Sequence, residues 1–400
     1  MRVLVSGASI GGPALAYWLA RFGYQPTVVE IAGRPREGGY AVDFRGSTHM
    51  AVLGRMGVLD DLRAVRTAGH PMTFVDRAGR PTLALPADFA GGDLEVTRAD
   101  LSAVLRRHGE ALGARYVYGD HLTGIEQDDE GVRVAFASGR HDRFDLVIGA
   151  DGVHSGVRRL AFGPESAYVR HLGAYVAGWD VPDVWGGERR SLLYTEPGRM
   201  AGVGIGEGNA AAFFVFRSPE LTYDRRDPGQ QKRILRDAYA GMGWETGRLL
   251  AGLETATDLF FDSINRVDLP RWSAGRVALV GDAGYGATLG GMGTGTAVVG
   301  AYVLAHELRA ADGDHRVAFA HYEELLRPYA ERCQKGGDTT GRFFAPGSRL
   351  GITLRDKTLS IPAMMRWMMK AGESRTNNID LPDYPFSRSD SASAVGTNQR

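Results

Sequence analysis

The sequence predicts an α/β protein in which a parallel sheet carries an inserted antiparallel sheet and is followed by C-terminal helices. Three apolar runs, at residues 2–6, 144–149 and 276–280, each end at or just before a glycine. They lack polar alternation, which is typical of buried parallel strands. Strand-like runs dominate residues 167–268, and only one amphipathic helix interrupts them, which indicates an antiparallel layer. Helical spacing dominates from Thr296 onward.

The first strand leads into a glycine-rich turn, and a helical pattern begins directly after it. Gly7, Gly11 and Gly12 match the dinucleotide fingerprint G-x-G-x-x-G, except that Ser9 replaces its middle glycine. Such glycines let the backbone approach a pyrophosphate, and the helix start offers N–H groups and partial positive charge. Glu30 ends the next strand, where a carboxylate can hold a ribose hydroxyl. The pattern predicts a nucleotide site, although an ordinary tight turn would also use glycines.

Two later strands repeat this arrangement. Asp151-Gly152 and Gly281-Asp282 each follow a buried strand. Ligands of open α/β sheets bind at the carboxyl ends of the strands, so we expect both motifs to meet the Gly7 turn. A glycine-dense loop at residues 285–295 then leads to a helix from Thr296, and its start is predicted to reach the same edge.

A basic residue stands at the beginning of another predicted helix. Thr97 can cap this helix, and Arg98 lies in its first turn, where a cation opposes the helix dipole. An anionic ligand would explain Arg98, whereas a salt bridge to Asp100 or Glu95 is the alternative. Arg34 could meet a phosphate or ribose, or belong to a solvated basic loop.

The amino-acid composition limits the classes of partner that we expect the protein to bind. The chain has 400 residues with 47 basic and 47 acidic side chains, so no global field favours nucleic acid or an anionic membrane as main partner. The single Cys333 precludes an internal disulfide and agrees with a cytoplasmic location. No apolar run is long enough for a membrane span. Ile361–Lys370 suggests either interfacial binding or, as we prefer, a docked helix.

The second layer is rich in aromatic residues. Trp179, Tyr194, Phe214 and Phe216 are our candidates for the wall of a pocket that takes a flat apolar ligand. The alternative is that they are simply core. No metal site is predicted.

Together these motifs resemble the class A flavoprotein monooxygenases, the aromatic hydroxylase family of para-hydroxybenzoate hydroxylase. Three motifs occur in the same order as in this family: the fingerprint with Glu30, the Asp151-Gly152 motif and the Gly281-Asp282 motif. The helix start at Arg98 also matches the family. The resemblance covers residue 1 to about residue 310. The glycine loop and the segment Ile379–Tyr384 look similar to actinobacterial enzymes that hydroxylate polyketides, phenols or tetracycline-like rings.

The resemblance implies FAD as cofactor, NADPH or NADH as reductant, and O₂ and a small aromatic substrate as reactants, in a monomer or homodimer. It implies a Rossmann-like FAD-binding domain (1–70, 98–165 and 271–335), a substrate-binding domain (71–97 and 166–270), a C-terminal helical segment (336–384) and a flexible tail (385–400). The implied FAD-binding residues are Gly7, Ser9, Ile10, Gly11, Gly12, Glu30, Ile31, Arg34, Arg98, Asp151, Gly152, Gly281, Asp282, Gly291, Gly293 and Thr294.

Within this set, Glu30 would hold the adenosine, the Gly7–Gly12 turn the pyrophosphate, and Asp282 the ribityl chain. Arg98 would reach the pyrophosphate or ribityl region. Oxygen transfer from a flavin hydroperoxide is driven by the cofactor and needs no protein nucleophile, so we expect no catalytic triad. An apolar lid should keep water out, and the aromatic second layer is the candidate.

Arg45 and Tyr285 are the candidates for catalytic groups near the flavin. The histidines at positions 49, 154 and 171 are expected to be structural. Gly284 and Tyr285 replace the Ala-His of the family's Gly-Asp-Ala-Ala-His motif, and Leu289 stands near its missing proline.

Two alternatives to hydroxylation remain at this stage. One is a flavoprotein of the same fold that reduces, dehydrogenates or epoxidises. The other is a non-enzymatic nucleotide- or lipid-binding protein.

Overall fold

The computed structural model describes residues 1–35, 41–67, 69–87, 89, 92–206, 210–290, 292–376, 379, 381, 382 and 384. The strands are β1 (Arg2–Ser6), β2 (Gln25–Glu30), β3 (Ala41–Phe44), β4 (Met72–Val75), β5 (Pro81–Leu85), β6 (Leu94–Thr97), β7 (Arg115–Tyr118), β8 (Leu122–Asp128), β9 (Gly131–Phe136), β10 (His141–Phe144), β11 (Leu146–Gly149), β12 (Val169–Val181), β13 (Arg190–Glu196), β14 (Arg199–Ile205), β15 (Ala210–Arg217), β16 (Phe260–Val267), β17 (Ser273–Ala274) and β18 (Val277–Leu279).

The helices are α1 (Gly11–Arg21), α2 (Gly46–Met56), α3 (Leu59–Ala64), α4 (Arg98–Ala111), α5 (Gly156–Ala161), α6 (Pro228–Tyr239), α7 (Thr246–Thr255), α8 (Asp282–Tyr285), α9 (Gly293–Ala310), α10 (His315–Gly337), α11 (Thr340–Phe344), α12 (Arg349–Leu359) and α13 (Pro362–Thr376). No helix within the described ranges is long and apolar enough to cross a bilayer.

A six-stranded sheet in the order β17-β18-β11-β1-β2-β7 forms the centre of the protein. Strand β1 runs parallel to β11 and β2, and β11 runs parallel to β18. Ser6 pairs with Gly149, and Gly149 pairs with Leu279, so the three glycine-ended strands finish side by side. This confirms the predicted common edge. Helices α1 and α9 pack on this sheet within one apolar core.

The second sheet has seven strands in the order β16-β12-β15-β14-β13-β4-β5. Strands β4 and β5 form an antiparallel hairpin at one edge of this sheet. Two helices, α6 and α7, cover one face, whereas the sequence predicted only one. Helix α7 contains Gly247 and Gly252, which weaken a helical pattern. A Cβ at Gly252 would lie 3.0 Å from Cγ1 of Val181, so this glycine lets α7 lie close to β12.

The two faces of this sheet differ, and the difference corrects the predicted substrate residues. Trp179, Phe214 and Phe216 are buried on the face that α6 and α7 cover, and Tyr194 joins the same apolar cluster. The indole of Trp179 donates to the carbonyl of Leu249 in α7 at 3.3 Å. These four aromatic residues are therefore core residues of the outer face, and each side chain is too deeply buried to present a surface to a ligand.

The opposite face, which we call the inner face, packs against the C-terminal helices. Its buried members include Val176 and Val215, and the half-buried Phe213, Phe343 and Phe344 join them. Phe213 and Phe214 are neighbours on β15, so strand alternation sends one ring to each face.

The chain returns to the central domain after α13. Ile379 is buried in the main core, and the Tyr384 hydroxyl lies 2.5 Å from Oε1 of Glu307 in α9. These contacts hold Ile379 and Tyr384 against the central domain. The tail predicted for residues 385–400 lies outside the described residues.

Candidate functional site

The fingerprint turn is built by close backbone contacts that only glycine allows. Gly7 has φ +107°, and a Cβ there would overlap the carbonyl of Ala150. A Cβ on Gly12 would overlap the carbonyl of Gly7, so Gly12 lets α1 start directly against β1. Gly11 faces Val280 and Ala297 at ordinary contact distance. The turn therefore touches the ends of β11 and β18 and the first turns of α9.

Ser9 and Arg98 are hydrogen-bonded to each other, which accounts for both unusual residues. Thr97 caps α4 as predicted, since its Oγ1 accepts from the backbone of Asp100 at 3.1 Å. This cap places Arg98 over the fingerprint, and its Nε donates to Oγ of Ser9 at 3.0 Å. Ser9, which departs from the fingerprint, thus holds Arg98, the cation that opposes the dipole of α4.

Glu30 lies beside the fingerprint turn. Its carboxylate accepts hydrogen bonds from the backbone N–H groups of Ala8 at 2.8 Å and Ala32 at 3.0 Å. The carboxylate is thus held where the adenosine side of a dinucleotide is expected. Ile31 and Arg34 follow on the exposed surface, and Ile10 is buried beneath the turn.

Asp151 stabilises its own loop. Its carboxylate accepts from the Ser155 hydroxyl and from the backbone of Val157 at 3.0 Å, and it thereby fixes the start of α5. Burial raises the pKa of Asp151, and these hydrogen bonds oppose the rise. Gly152 turns the chain with φ +82°. The motif shapes the edge of the site through backbone conformation.

Asp282 is the residue whose hydrogen bonding is incomplete. Its Oδ1 is buried and has no hydrogen-bond partner among the described atoms. Burial raises the pKa of this carboxyl, while the nearby Arg98 guanidinium lowers it. Gly281, at φ +65°, turns the chain so that Asp282 begins α8. A buried carboxylate oxygen without a donor costs free energy, so this site calls for a ligand with donors.

The start of α9 lies against the same oxygen. A Cβ on Gly293 would lie 2.8 Å from Oδ1 of Asp282. Met292 precedes the helix in the left-handed conformation (φ +54°), and no side chain caps the first turn. Thr294 is half-buried in this turn. The predicted Gly291 lies outside the described residues. The uncapped N–H groups and the helix dipole favour negative charge at this point.

These features fit FAD. The ribityl chain offers hydroxyl donors for Oδ1 of Asp282, and the uncapped start of α9 suits the electron-rich end of a reduced flavin. The fingerprint glycines and the start of α1 suit a pyrophosphate, and Arg98 lies between these two regions. The chemistry of the donor set therefore matches the cofactor in each of its parts.

His49, which was expected from the sequence to be structural, lies against the start of α9. Its imidazole fills the space where a Cβ of Gly295 would be, so it supports the first turn of α9. Its Nδ1 accepts from the backbone N–H of Arg45 at 3.1 Å, and its Nε2 lies 2.7 Å from the Tyr329 hydroxyl. Burial lowers the pKa of His49 to about 4, so the ring is neutral and Nε2 donates. The dense glycines at 290–295 were the only available signal of such a close neighbour.

Arg45 begins α2 at the border between the two sheets. Its guanidinium is paired with Asp43 and donates from Nη2 to the Phe89 carbonyl at 2.7 Å. Phe89 stacks on Phe343 with 5.9 Å between ring centroids. Arg45 therefore connects the α9 support with the inner face of the second sheet.

Tyr285 lies in the core, which disagrees with a catalytic position. Its ring packs on Trp272 at 4.4 Å between centroids, and its hydroxyl bonds that of Tyr322 at 3.0 Å. Burial raises the pKa of Tyr285 well above its usual value. This tyrosine packs α8 against α10 and belongs to the main apolar core.

The glycine loop brings the inner face to the site. Thr288 accepts from the backbone of Asn265 in β16 at 3.1 Å, and Leu289 packs into the inner-face cluster. A Cβ on Gly290 would overlap the Thr340 side chain at the start of α11, and Gly341 packs on Ala174 of β12. The loop that starts at Asp282 thus ends against the half-buried aromatic rings of the inner face.

An ionic cluster joins the two sheets behind the Asp151-Gly152 motif. His154 Nδ1 lies 3.1 Å from Glu165, and Nε2 lies 3.0 Å from Asp262 on β16. Arg225 also pairs with Glu165 at 2.8 Å. Burial alone would lower the pKa of His154, but hydrogen bonds to Asp262 and Glu165 outweigh it and raise the pKa to about 9. His171 donates from Nε2 to the Ser218 carbonyl at 2.9 Å.

Comparison with known proteins finds a family model, relatives and solved structures that match most of the chain. Residues 1–336 match the family model described as FAD binding domain. A flavin-dependent monooxygenase from an unknown prokaryotic organism is 37% identical over 391 residues, which cover 96% of this chain and 99% of the relative. The crystal structure of tetracycline destructase Tet(51) superposes with a TM-score of 0.85 at 33% identity, over 96% of this chain and 99% of that one. The crystal structure of tetracycline destructase Tet(55) superposes with a TM-score of 0.83 at 36% identity, over 96% of this chain and 98% of that one.

We predict that Gly295→Ala weakens FAD binding at least about tenfold, because the new methyl group would push the start of α9 away from His49. The measurement is equilibrium dialysis of FAD with the purified protein. Combining it with His49→Ala should restore part of the affinity. The matched control is Gly54→Ala in α2, where a Cβ meets nothing within 4 Å, and it should leave FAD binding unchanged. Full FAD affinity in Gly295→Ala would show that the close approach is unimportant.

We also predict a pH dependence of stability that belongs to His154. Its folded pKa of about 9 lies above the ordinary 6.5, so its contribution is complete below pH 6.5 and is lost as pH rises to 9. The loss should be up to about 3 kcal/mol, measured by urea unfolding at pH 6.5 and 9.5. In His154→Gln this decline should largely disappear. An equal decline in the variant would assign it to other groups.

Proposed function

Because the chain belongs to the FAD-binding-domain family and is an FAD-dependent monooxygenase, we propose that it hydroxylates a polycyclic small molecule of the tetracycline type. The reaction takes electrons from NADPH or NADH and one oxygen atom from O₂. The family membership rests on the match to residues 1–336 and on the 37% identity to a flavin-dependent monooxygenase. The substrate class is suggested by the two tetracycline destructases that share the fold at 33% and 36% identity.

The single observation that carries the cofactor assignment is the unpartnered Oδ1 of Asp282 at the uncapped start of α9. We assign the ribityl hydroxyls to Asp282, the pyrophosphate to the Gly7–Gly12 turn with Arg98 beside it, and the adenosine ribose to Glu30. Gly293 and Thr294 then offer backbone N–H groups to the flavin ring. Bound FAD supplies the redox chemistry, since it takes a hydride from the nicotinamide and activates O₂ once reduced.

The residues of the chain bind FAD, orient it and shield the reacting centre from water. The start of α9 offers partial positive charge where reduction leaves negative charge, and the neutral His49 keeps that helix start in place without adding charge of its own. Arg98 balances the nearby Asp282 carboxylate. The apolar inner face keeps water from the reacting centre. None of these groups has to act as a nucleophile.

The inner face is the proposed substrate surface. Phe213, Phe343 and Phe344 are half-buried there, so each side chain keeps some solvent-accessible surface that a flat ligand could cover. Phe213 and Phe344 pack edge to face with 5.5 Å between ring centroids, and Phe343 and Phe344 do so with 5.1 Å. The three ring planes are therefore not parallel to one another. Aromatic rings stack on an extended planar system over a large area, which favours a polycyclic substrate over a single phenol.

We propose the following organisation for the whole chain. Residues 1–70, 98–165 and 271–335 bind FAD, residues 71–97 and 166–270 bind the substrate, and residues 336–384 form a C-terminal helical segment whose helices α11 to α13 cover the inner face. We propose a monomer or homodimer that acts in the cytoplasm.

The test is turnover of tetracycline by the FAD-loaded protein under ¹⁸O₂ with NADPH, followed by mass spectrometry. We predict faster NADPH oxidation with substrate and a product that carries one ¹⁸O atom. Phe213→Ala should raise KM about tenfold with a smaller change in kcat, because it removes a stacking surface. The matched control is Phe216→Leu on the opposite face of the same strand, which should leave KM near its original value.

The possible failures have different meanings. NADPH oxidation without an oxygenated product would make the protein a flavoprotein reductase. Incorporation of ¹⁸O into a smaller phenol but not into tetracycline would keep the monooxygenase and reject the polycyclic substrate.

A further inference from the structure

The outward side of α12 and α13 carries an unusual concentration of exposed apolar side chains. Leu350 is 78% exposed, Trp367 67% and Leu354 64%, and Ile361 and Met364 are exposed as well. Five of the twelve exposed large apolar residues in the described part of the chain therefore fall within an 18-residue stretch. We call these five residues, with the cations between them, the C-terminal surface. Clustering of this kind marks an interaction site.

Helical spacing gives each helix the same outward pattern. Leu350, Leu354 and Lys357 share one side of α12, because they are four and three residues apart. Met364, Trp367 and Lys370 repeat the pattern at three-residue steps on α13. The opposite sides of the helices carry Leu359 and Met365, which are buried on the inner face. Both helices thus have an apolar stripe toward the solvent in addition to the stripe that packs on the protein.

The C-terminal surface is strongly basic. Residues 342–370 contain six basic side chains and one acidic side chain, although the whole chain has a formal charge of zero. The single carboxylate, Asp356, is paired with Arg355 at 2.8 Å, and both are mostly buried. Of the remaining five cations, Arg342 lies in α11. The other four lie on the exposed side of α12 and α13 and form no ion pair with any residue that the structure describes; they are Arg349, Lys357, Arg366 and Lys370. Apolar side chains among unpaired cations are complementary to an anionic, amphiphilic surface.

A groove of about 430 Å³ opens beside the turn between the two helices. Strand β5, the edge strand of the second sheet, forms one wall with Pro81 and Leu83, and Pro362 and Met365 form the other. The groove is next to the exposed Ile361 in the chain and is mostly apolar in its lining. A lipid acyl chain fits such a groove by size and chemistry.

Other occupants of the C-terminal surface agree less well with its charge and position. A second copy of this chain in a twofold dimer would place the same cations against each other. The chain beyond α13 leads away, since Tyr384 is bonded to Glu307 of α9. An anionic phosphate layer above an apolar layer matches both the charges and the apolar side chains.

We propose that the C-terminal surface docks the enzyme on an anionic phospholipid bilayer. Trp367, Leu354 and Leu350 would enter the boundary between headgroups and acyl chains, and the lysines would extend to the lipid phosphates. The contact is peripheral. The neutral overall charge describes the chain as a whole, whereas this surface is a local basic field. Lipophilic polycyclic molecules concentrate in bilayers, so docking would raise their concentration at the enzyme.

The test is cosedimentation of the FAD-loaded protein with vesicles of phosphatidylglycerol and phosphatidylcholine, and with phosphatidylcholine alone. We expect binding to the anionic vesicles, little binding to the neutral ones, and weakening with added salt. Lys357→Gln with Lys370→Gln should weaken the binding roughly 30-fold. Leu354→Ser with Trp367→Ser should also weaken it, and bromine-labelled lipids should quench fluorescence that Trp367→Phe removes.

Leu112→Ser is the matched control, because Leu112 is also an exposed leucine (43%) but lies at the end of α4. It should not change vesicle binding. All variants should keep their FAD content. Failure of the anionic vesicles to bind the protein would overturn the proposal, as would equal binding to neutral vesicles. Self-association that Leu354→Ser with Trp367→Ser abolishes, in the absence of lipid binding, would assign the surface to a second copy.

Discussion

The site depends on one buried carboxylate oxygen that the protein does not satisfy by itself. Oδ1 of Asp282 has no donor among the described atoms, and the adjacent start of α9 has no side-chain cap. Buried polar groups in folded proteins are nearly always paired, so the fold keeps an acceptor and a set of donors free at the same place. Gly281 and Gly293 allow this approach, and His49 holds the helix start from behind. The rest of the site follows from bringing three strand ends to this oxygen.

Departures from a motif are compensated by contacts elsewhere in the chain. Ser9 breaks the glycine fingerprint, yet its hydroxyl accepts the hydrogen bond that positions Arg98. Arg98 in turn lowers the pKa of Asp282, which burial would otherwise raise further. The serine, the arginine and the aspartate come from three distant parts of the sequence and act as one electrostatic unit. The Tyr285 that replaces the usual histidine is taken into the core by Trp272 and Tyr322.

The sequence predicted the parallel sheet and its common edge because glycines and buried apolar runs are local signals. It could not assign the aromatic residues of β15 to a face, since Phe213 and Phe214 are adjacent and both faces of that sheet are covered. The face that receives the glycine loop is decided by long-range contacts, such as that between Gly290 and Thr340. The contact between His49 and Gly295 could not be predicted for the same reason, because the two residues are distant in sequence. Helix α7 was missed because its glycines, which permit close packing, also weaken its helical pattern.

The central claim is tested most directly by the dissociation constant of FAD from the Asp282→Ala protein, measured by fluorescence quenching beside the unsubstituted protein. A hydrogen bond to a charged group contributes about 1.5 to 3 kcal/mol, so the account predicts binding weakened by roughly 10- to 100-fold in a folded protein. An unchanged or tighter dissociation constant would contradict it, because the free oxygen would then have no part in holding the cofactor.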